Sequence, residues 1–170
     1  MVGNPVARLA LCLSAALLTG CAERLTAPPC TPVPFDLASV SGDTITTTTG
    51  LRYLDGAPGT GTALPWCRTV IVHYTGYLVD GTKFDSSRDI DRPLVFTPGN
   101  GNLIDGFEQG VIGMRMCGTR RLIVPPDLGF GAEPRRNDAG EIIVPGNATV
   151  VFDLEVLEIG GEPFVPCGST

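Results

Sequence analysis

Alternating hydrophobic and polar positions predict several strands in the middle and at the end of the chain. The segment RTVIVHYTGYLVDG (68–81) fits a strand that ends in a turn, and Lys83–Ser86 continues beyond that turn. Leu94–Thr97 has the pattern of a short strand. The segments TRRLIVP (119–125) and ATVVFDLEVLEI (148–159) complete the set. The pattern therefore predicts a protein built mainly from strands.

The last predicted strand has a clear two-sided pattern, which indicates one buried and one solvated face of a sheet. The positions predicted to face the core are Val150, Phe152, Leu154 and Val156. The positions predicted to face water are Val151, Asp153 and Glu155.

One segment, NLIDGFEQGVIGM (102–114), has a helical pattern. Phe107 and Val111 are four residues apart and share a face, although Gly106 and Gly110 weaken a helix. Several strands with one small helix define an α+β fold, and we expect an antiparallel sheet closed over that helix.

The N-terminus has the pattern of an export signal. An apolar run from Leu9–Leu18 follows a single cation and is too short to span a bilayer, which takes roughly 20 residues. The following LTGC (18–21) resembles a bacterial lipobox, so residues 1–20 would be a signal peptide and Cys21 would carry lipid; a plain secretory signal is the alternative. Because Ala22 is not Asp, we expect a lipoprotein anchored to the outer membrane, facing the periplasm or the cell surface.

The rest of the chain divides into three parts. Residues 21–48 are rich in Pro, Ser and Thr, which predicts a lipidated tether without helix. Residues 49–160 form the predicted domain, and residues 161–170 form a C-terminal tail.

Export would leave four cysteines in an oxidising compartment: Cys30, Cys67, Cys117 and Cys167. Disulfides are expected there, and a free thiol is the alternative.

Charge and composition exclude several function classes. The net charge is −6, with 12 basic against 18 acidic residues, and no basic run offers itself to nucleic-acid phosphates. The single histidine, His73, lies in a strand pattern where packing is the usual role, and no catalytic triad is recognisable. The cysteine spacing matches no zinc site, and the glycine-rich segments match no nucleotide motif. We therefore expect no metal and no cofactor.

A group of apolar and aromatic residues lies beside irregular segments, with Asp85 as the polar exception. It comprises Tyr74, Phe84, Leu94, Phe96, Leu103, Ile104, Phe107 and Phe130. By pattern alone this group is either the core of a small sheet domain or an apolar pocket with one polar group.

Four segments resemble, in order, those of FKBP-type peptidyl-prolyl isomerases. They are VHYTGYLVDGTKFDSS, GFEQGVIGM, IVPPDLGFG and VPGNATVVFDLEVLEI, within residues 51–159. The resemblance implies a five-stranded antiparallel sheet wrapped around one short helix, with the site between them. It also implies isomerisation of X–Pro bonds without a cofactor, metal or covalent step.

The resemblance also implies the site residues. The catalytic positions are Tyr74, Phe84, Asp85, Ile104, Phe107 and Phe130. The substrate-binding positions are Leu94, Phe96, Leu103, Val144 and Phe152. Among them, the Ile104 backbone N–H matches the family's donor to a substrate carbonyl, and Phe107 matches the pocket floor.

The sequence departs from the family pattern at three site positions. Phe107 replaces a common Trp, Leu94 a Phe found in some members, and Phe130 the usual Tyr, which removes a hydroxyl donor. The loop AEPRRNDAGE (132–141) is longer than in the family. Its two arginines could meet acidic substrates or simply be solvated.

The family fold also suggests how the cysteines pair. It brings the starts of two strands to one end of the sheet, which implies a Cys67–Cys117 bond and leaves Cys30 with Cys167.

The expected function is a membrane-tethered prolyl isomerase for exported proteins. Its expected partners are proline-containing polypeptides and the macrolide inhibitors of the family, and we expect a monomer. A low-turnover chaperone using the same pocket and a lipoprotein with a decayed pocket are the alternatives.

Overall fold

The computed structural model describes residues 43–160. The predicted signal peptide (1–20), residues 21–42 of the predicted tether and the predicted tail (161–170) lie outside the described residues. Cys21, Cys30 and Cys167 lie outside them as well.

The described part of the chain contains nine strands, one α-helix and a single 3-10 turn at Pro126–Leu128. The strands are β1 (Ile45–Thr46), β2 (Arg52–Asp55), β3 (Val70–Leu78), β4 (Lys83–Ser86), β5 (Leu94–Phe96), β6 (Thr119–Val124), β7 (Arg135–Arg136), β8 (Ile142–Val144) and β9 (Val150–Ile159). The helix, α1, is Asp105–Val111. Each strand predicted from the alternation is present, with ends trimmed by up to three residues.

Seven strands form one antiparallel sheet in the order β1-β2-β6-β9-β3-β4, with β5 also paired to β3, and β7 and β8 form a separate hairpin. The antiparallel sheet and the single short helix are confirmed. The sheet has seven strands instead of the expected five. One reason is that β4 and β5 both pair with the same edge of β3, β4 at residues 75–77 and β5 at residues 70–72. They are one row interrupted by an irregular segment, and β1 adds a two-residue strand at the opposite edge.

The two helix glycines allow α1 to pack closely on β6. A Cβ atom at Gly106 would lie 2.5 Å from Cγ1 of Val124, and a Cβ at Gly110 would overlap Cδ1 of Leu122. The glycines that weaken the helix in the sequence pattern are therefore required by its contact with the sheet. The helix is also shorter than the predicted 102–114, because the loop before it stays extended up to Ile104.

A buried arginine holds the C-terminal end of α1. Arg120 donates through Nη1 to the carbonyls of Gly110 and Ile112, at 2.9 and 3.0 Å, and through Nε to Asp55 Oδ1 at 2.5 Å. Its guanidinium lies 4.1 Å from the ring centroid of Tyr53. Because the last carbonyls of a helix lack partners within the helix, a cation that donates to them stabilises this end.

The two-sided pattern predicted for β9 is correct for its core face, since Val150, Phe152, Leu154 and Val156 are all buried. It is wrong for Glu155, which is only 3% exposed instead of solvated. The reason is that Arg88, in the segment after β4, forms an ion pair with the Glu155 carboxylate. A buried charge is tolerated when such a partner is present.

Candidate functional site

A cavity of about 370 Å³ opens between α1 and the sheet. Nine of the eleven site positions expected from the sequence line it: Tyr74, Phe84, Asp85, Leu94, Leu103, Ile104, Phe107, Phe130 and Phe152. Because these residues come from β3, β4, β5, α1 and β9 as well as from loops, only the folded chain brings them together.

Aromatic rings in edge-to-face contact form the cavity wall. The centroids of Phe107 and Phe152 are 5.2 Å apart, and those of Phe84 and Phe152 are 5.7 Å apart. Tyr74 meets Phe107 at 5.7 Å, and Phe130 meets Phe84 at 6.1 Å. Such pairs hold one another in fixed orientations, which gives the cavity a rigid apolar surface.

Two expected site positions, Phe96 and Val144, are buried outside the cavity lining. Phe96 is 7% exposed, and its ring centroid is 5.6 Å from that of Phe107. Val144 is fully buried in the hydrophobic core. Neither residue is among those that line the cavity. Phe96 supports the floor, and Val144 packs in the core.

Gly76, in β3, makes room for two of the wall rings. A Cβ atom there would lie 2.6 Å from Cζ of Phe84 and 3.0 Å from Cε1 of Phe152. The absence of a side chain at Gly76 therefore sets how deeply both rings can sit. An isolated glycine inside a strand pattern is the sequence signal for such a close approach.

A hydrogen bond between Tyr74 and Asp85 provides the polar element of the wall. The Tyr74 hydroxyl donates to Oδ2 of Asp85 at 2.8 Å. Burial, together with this bond, raises the pKa of Tyr74 to about 12. The hydroxyl therefore stays protonated at neutral pH and keeps the carboxylate in place.

Glu108 organises the loop that leads into the helix. Its carboxylate is 5% exposed and accepts three backbone N–H bonds, from Gly99 at 2.8 Å, Asn102 at 3.0 Å and Leu103 at 3.1 Å. These bonds fix the loop immediately before Ile104. The sequence gives little sign of this role, since a helix glutamate is usually solvated.

The Ile104 backbone N–H, at the end of this organised loop, has no hydrogen-bond acceptor among the described residues. Ile104 is extended, with φ −61° and ψ 142°, and its carbonyl accepts from the N–H groups of Phe107 and Glu108 at 2.9 and 3.2 Å. Ile104 also lines the cavity, which makes this N–H a candidate donor to a bound group.

Two further residues, Asn102 and Arg135, line the cavity but were not among the expected site positions. Arg135 lies in the β7–β8 hairpin, and its guanidinium is 5.1 Å from the ring centroid of Phe130. The longer loop read from the sequence therefore contributes one of its two arginines to the cavity.

His73 takes no part in the cavity lining. Its Nδ1 lies 3.0 Å from Oγ of Ser87, and burial, followed by the charge of Arg88, lowers its pKa. His73 is therefore a packed side chain of β3 that is hydrogen-bonded to Ser87.

Cys67 and Cys117 are each disulfide-bonded. Within residues 43–160 no three metal-binding side chains converge, and no helix is both long and apolar enough to cross a bilayer.

Comparison with known proteins identifies the family. Residues 67–157 match the family of FKBP-type peptidyl-prolyl cis-trans isomerases. The chain is 41% identical over 111 residues to the peptidyl-prolyl cis-trans isomerase Fkbp12 of Drosophila melanogaster, covering 65% of this chain and 98% of that protein. The chain therefore belongs to the FKBP-type family, and the resemblance read from its four segments is confirmed.

Two further similarities agree with this assignment. The chain is 51% identical over 89 residues to FK506-binding protein 2B of Rhizopus delemar, which is 52% of this chain but only 40% of that longer protein. The crystal structure of AtFKBP13 superposes with a TM-score of 0.64 at 29% identity, over 70% of this chain and 100% of that one.

Proposed function

We propose that the cavity between α1 and the sheet catalyses cis–trans isomerisation of X–Pro bonds in polypeptides. The observation that carries this proposal is the combination of an apolar aromatic wall with the Ile104 N–H, which has no acceptor within residues 43–160. An apolar pocket accepts a proline ring, and one donor beside it fixes the peptide backbone.

The energetics of the reaction suit such a cavity. Rotation about the X–Pro bond is opposed by a barrier of about 18–20 kcal/mol, because amide resonance is lost as the bond twists. The twisted amide separates less charge than the planar one, so moving it from water into an apolar site favours the transition state. No bond is made or broken, so the residues need only bind, orient and exclude water.

The polar groups of the cavity have separate roles in this proposal. The Ile104 N–H donates to a carbonyl of the substrate and holds the peptide as the amide twists. Asp85, oriented by the Tyr74 hydroxyl, faces the polar backbone beside the proline ring. Phe84, Phe107 and Phe152 enclose the ring itself.

We propose that the substrates are exported proteins. We also propose that the protein is a monomeric lipoprotein of the outer membrane, facing the periplasm or the cell surface. The LTGC segment ending at Cys21 supports lipid attachment, and disulfide-bonded Cys67 and Cys117 suit an oxidising compartment. Labelling with a radioactive fatty acid tests this: the native chain should incorporate label, and Cys21→Ser should not. Equal labelling of both would contradict lipidation at Cys21.

We also propose the pairs Cys67–Cys117 and Cys30–Cys167, the second joining the tether to the tail. Peptide mapping under non-reducing conditions should recover these two cross-linked fragments. A fragment that links Cys30 to Cys67 would overturn the pairing.

A refolding assay tests the proposed function against the chaperone alternative. The substrate is a reduced protein whose slow refolding phase is limited by a proline, a phase of tens of seconds or more. An isomerase accelerates that phase at substoichiometric amounts. A holding chaperone needs stoichiometric amounts and delays refolding, so that outcome would favour the binding module.

A double variant, Phe84→Ala/Asp85→Ala, locates the activity in the cavity. It should lose the acceleration, whereas Val79→Ala, at a position 72% exposed and outside the cavity lining, should keep it. Acceleration that survives in the double variant would place the activity elsewhere.

A further inference from the structure

The cavity lining carries one negative and one positive side chain, and these two do not form an ion pair with each other. They are Asp85 and Arg135. The Asp85 carboxylate has the Tyr74 hydroxyl as its partner at 2.8 Å. Arg135 stacks on Phe130, and among the described residues its guanidinium has no carboxylate within ion-pair distance.

The fold holds this guanidinium in position at the cavity edge. In the β7–β8 hairpin the backbone of Arg135 pairs with Val144, which is fully buried. The side chain then rests on Phe130, whose ring is itself fixed by contact with Phe84. A planar guanidinium stacked on an aromatic ring keeps its N–H groups free at its edge for a carboxylate.

The neighbouring residue provides an internal contrast. Arg136 is the next residue of the same two-residue strand, and the pairing with β8 is irregular between the two arginines. It donates through Nη1 to the carbonyl of Gly140 at 2.8 Å, and it is not among the residues that line the cavity. The two arginines carry the same charge on the same hairpin, yet only Arg135 faces the site.

Most other groups on the wall cannot replace this donor. The rings of Phe84, Phe107, Phe130 and Phe152 offer no hydrogen-bond donor, and the Tyr74 hydroxyl is committed to Asp85. A carboxylate on a bound peptide would therefore find its charge-matched partner at Arg135.

We propose that Arg135 is a substrate-specificity residue that receives an acidic side chain next to the proline, so that the site prefers polypeptides with Asp or Glu beside the isomerised bond. This inference rests on the proposed function and adds the substrate class to it. The preference is electrostatic and acts at a solvent-exposed rim, so it decreases as salt is added.

The test compares three peptides that differ only beside the proline: Ala-Glu-Pro-Phe, Ala-Gln-Pro-Phe and Ala-Lys-Pro-Phe. Glu and Gln have the same shape, so their difference isolates the charge. For the native full chain, at low salt and with disulfides intact, kcat/KM should be about three- to fivefold higher for the Glu than for the Gln peptide, as expected of an exposed ion pair. The Lys peptide should be the poorest of the three.

Two matched variants decide whether Arg135 causes the preference for the Glu peptide over the Gln peptide. Arg135→Gln should bring the ratio of kcat/KM for the Glu and Gln peptides to about one, since the charge that distinguishes the two peptides then has no partner. Arg136→Gln removes the same charge from the same hairpin and should keep the full preference. A preference that survives in Arg135→Gln, or that disappears equally in Arg136→Gln, would overturn the proposal.

Binding of the same peptides, measured by calorimetry, separates this inference from the function on which it depends. If the native chain binds the peptides but accelerates none, the isomerase proposal fails, and the Glu-over-Gln ratio of dissociation constants still tests Arg135. If the chain accelerates the Gln peptide without any preference for Glu, the isomerase proposal stands and the role of Arg135 is wrong.

Discussion

The Tyr74 hydroxyl donates a 2.8 Å hydrogen bond to Oδ2 of Asp85, and this bond joins β3 to β4 inside the cavity. Phe84, the residue before Asp85, contributes its ring to the apolar wall. The two neighbours Phe84 and Asp85 thus provide an apolar surface and an oriented carboxylate at one place. This arrangement accounts for the adjacent Phe84 and Asp85 in β4: the ring forms part of the wall, and the carboxylate is held by Tyr74.

The raised pKa of Tyr74, about 12, predicts its behaviour at alkaline pH. Because the folded-state pKa lies above the ordinary value of 10.0, the contribution to stability is fully present below about pH 10 and is lost as pH rises through about 12. The ultraviolet difference titration between the native chain and Tyr74→Phe should have its midpoint near pH 12. A midpoint at the ordinary value would show that neither burial nor the bond to Asp85 raises the pKa of this hydroxyl.

The Ile104 N–H can be removed with little change to the backbone. Ile104 has φ −61°, which a proline ring adopts without strain, so Ile104→Pro deletes the donor without requiring a new φ at this position. Ile104→Ala is the matched control, because it loses the same side chain but retains the N–H. We expect kcat/KM to be up to about tenfold lower for the Pro variant than for the Ala variant, the value of one hydrogen bond. Equal activities would mean that Ile104 donates no bond to the substrate.

The three bonds accepted by Glu108 predict a linked loss of stability and activity. In Glu108→Gln one oxygen becomes an NH₂ group, which cannot accept from the loop, so the free energy of unfolding should fall by about 2 kcal/mol. Urea denaturation measures that change, and kcat/KM should fall as well because the loop before Ile104 shifts. Gln109→Ala is the control, since it removes an exposed bond to Thr49. Full activity in a destabilised Glu108→Gln chain would limit Glu108 to a structural role.

Gly76→Ala should disturb the wall by overpacking. The added methyl group would lie 2.6 Å from Cζ of Phe84, so the ring must tilt, at a cost of about 1–3 kcal/mol in the free energy of unfolding. Combining it with Phe84→Leu shortens the obstructing side chain, so the two changes should cost less together than the sum of the single variants. Additive costs would show that the clash is relieved elsewhere.

Much of the fold follows from the sequence, because period-two and helical patterns report directly which faces are buried. The alternation through β9 identifies its core face, and Phe107 with Val111 marks the helix. Glu155 shows the limit of such patterns. Its burial depends on Arg88, which is 67 residues earlier in the chain, and no local pattern contains that information.

The site is less predictable than the fold from the pattern of residues alone. Its residues follow from the resemblance of whole segments, since an aromatic residue in a pocket wall and one in a core look alike in a sequence. Phe96 was expected to line the cavity and is buried outside its lining, because depth within a packed cluster is decided by the neighbours. The sequence does not indicate the role of Glu108, which depends on loop backbones. It leaves Arg135 open between contact with acidic substrates and solvation, because no pattern specifies where its hairpin lies.

Equilibrium exchange NMR on Ala-Gln-Pro-Phe tests the central claim most directly, because it reports the rate of cis–trans exchange without a coupled reaction. A catalytic amount of the full chain, with its disulfides intact, should bring cis and trans proline signals into measurable exchange. Phe84→Ala/Asp85→Ala should abolish that exchange, and Val79→Ala should preserve it. Absence of exchange with the folded native chain, or equal exchange in the double variant, would contradict an isomerase acting in this cavity.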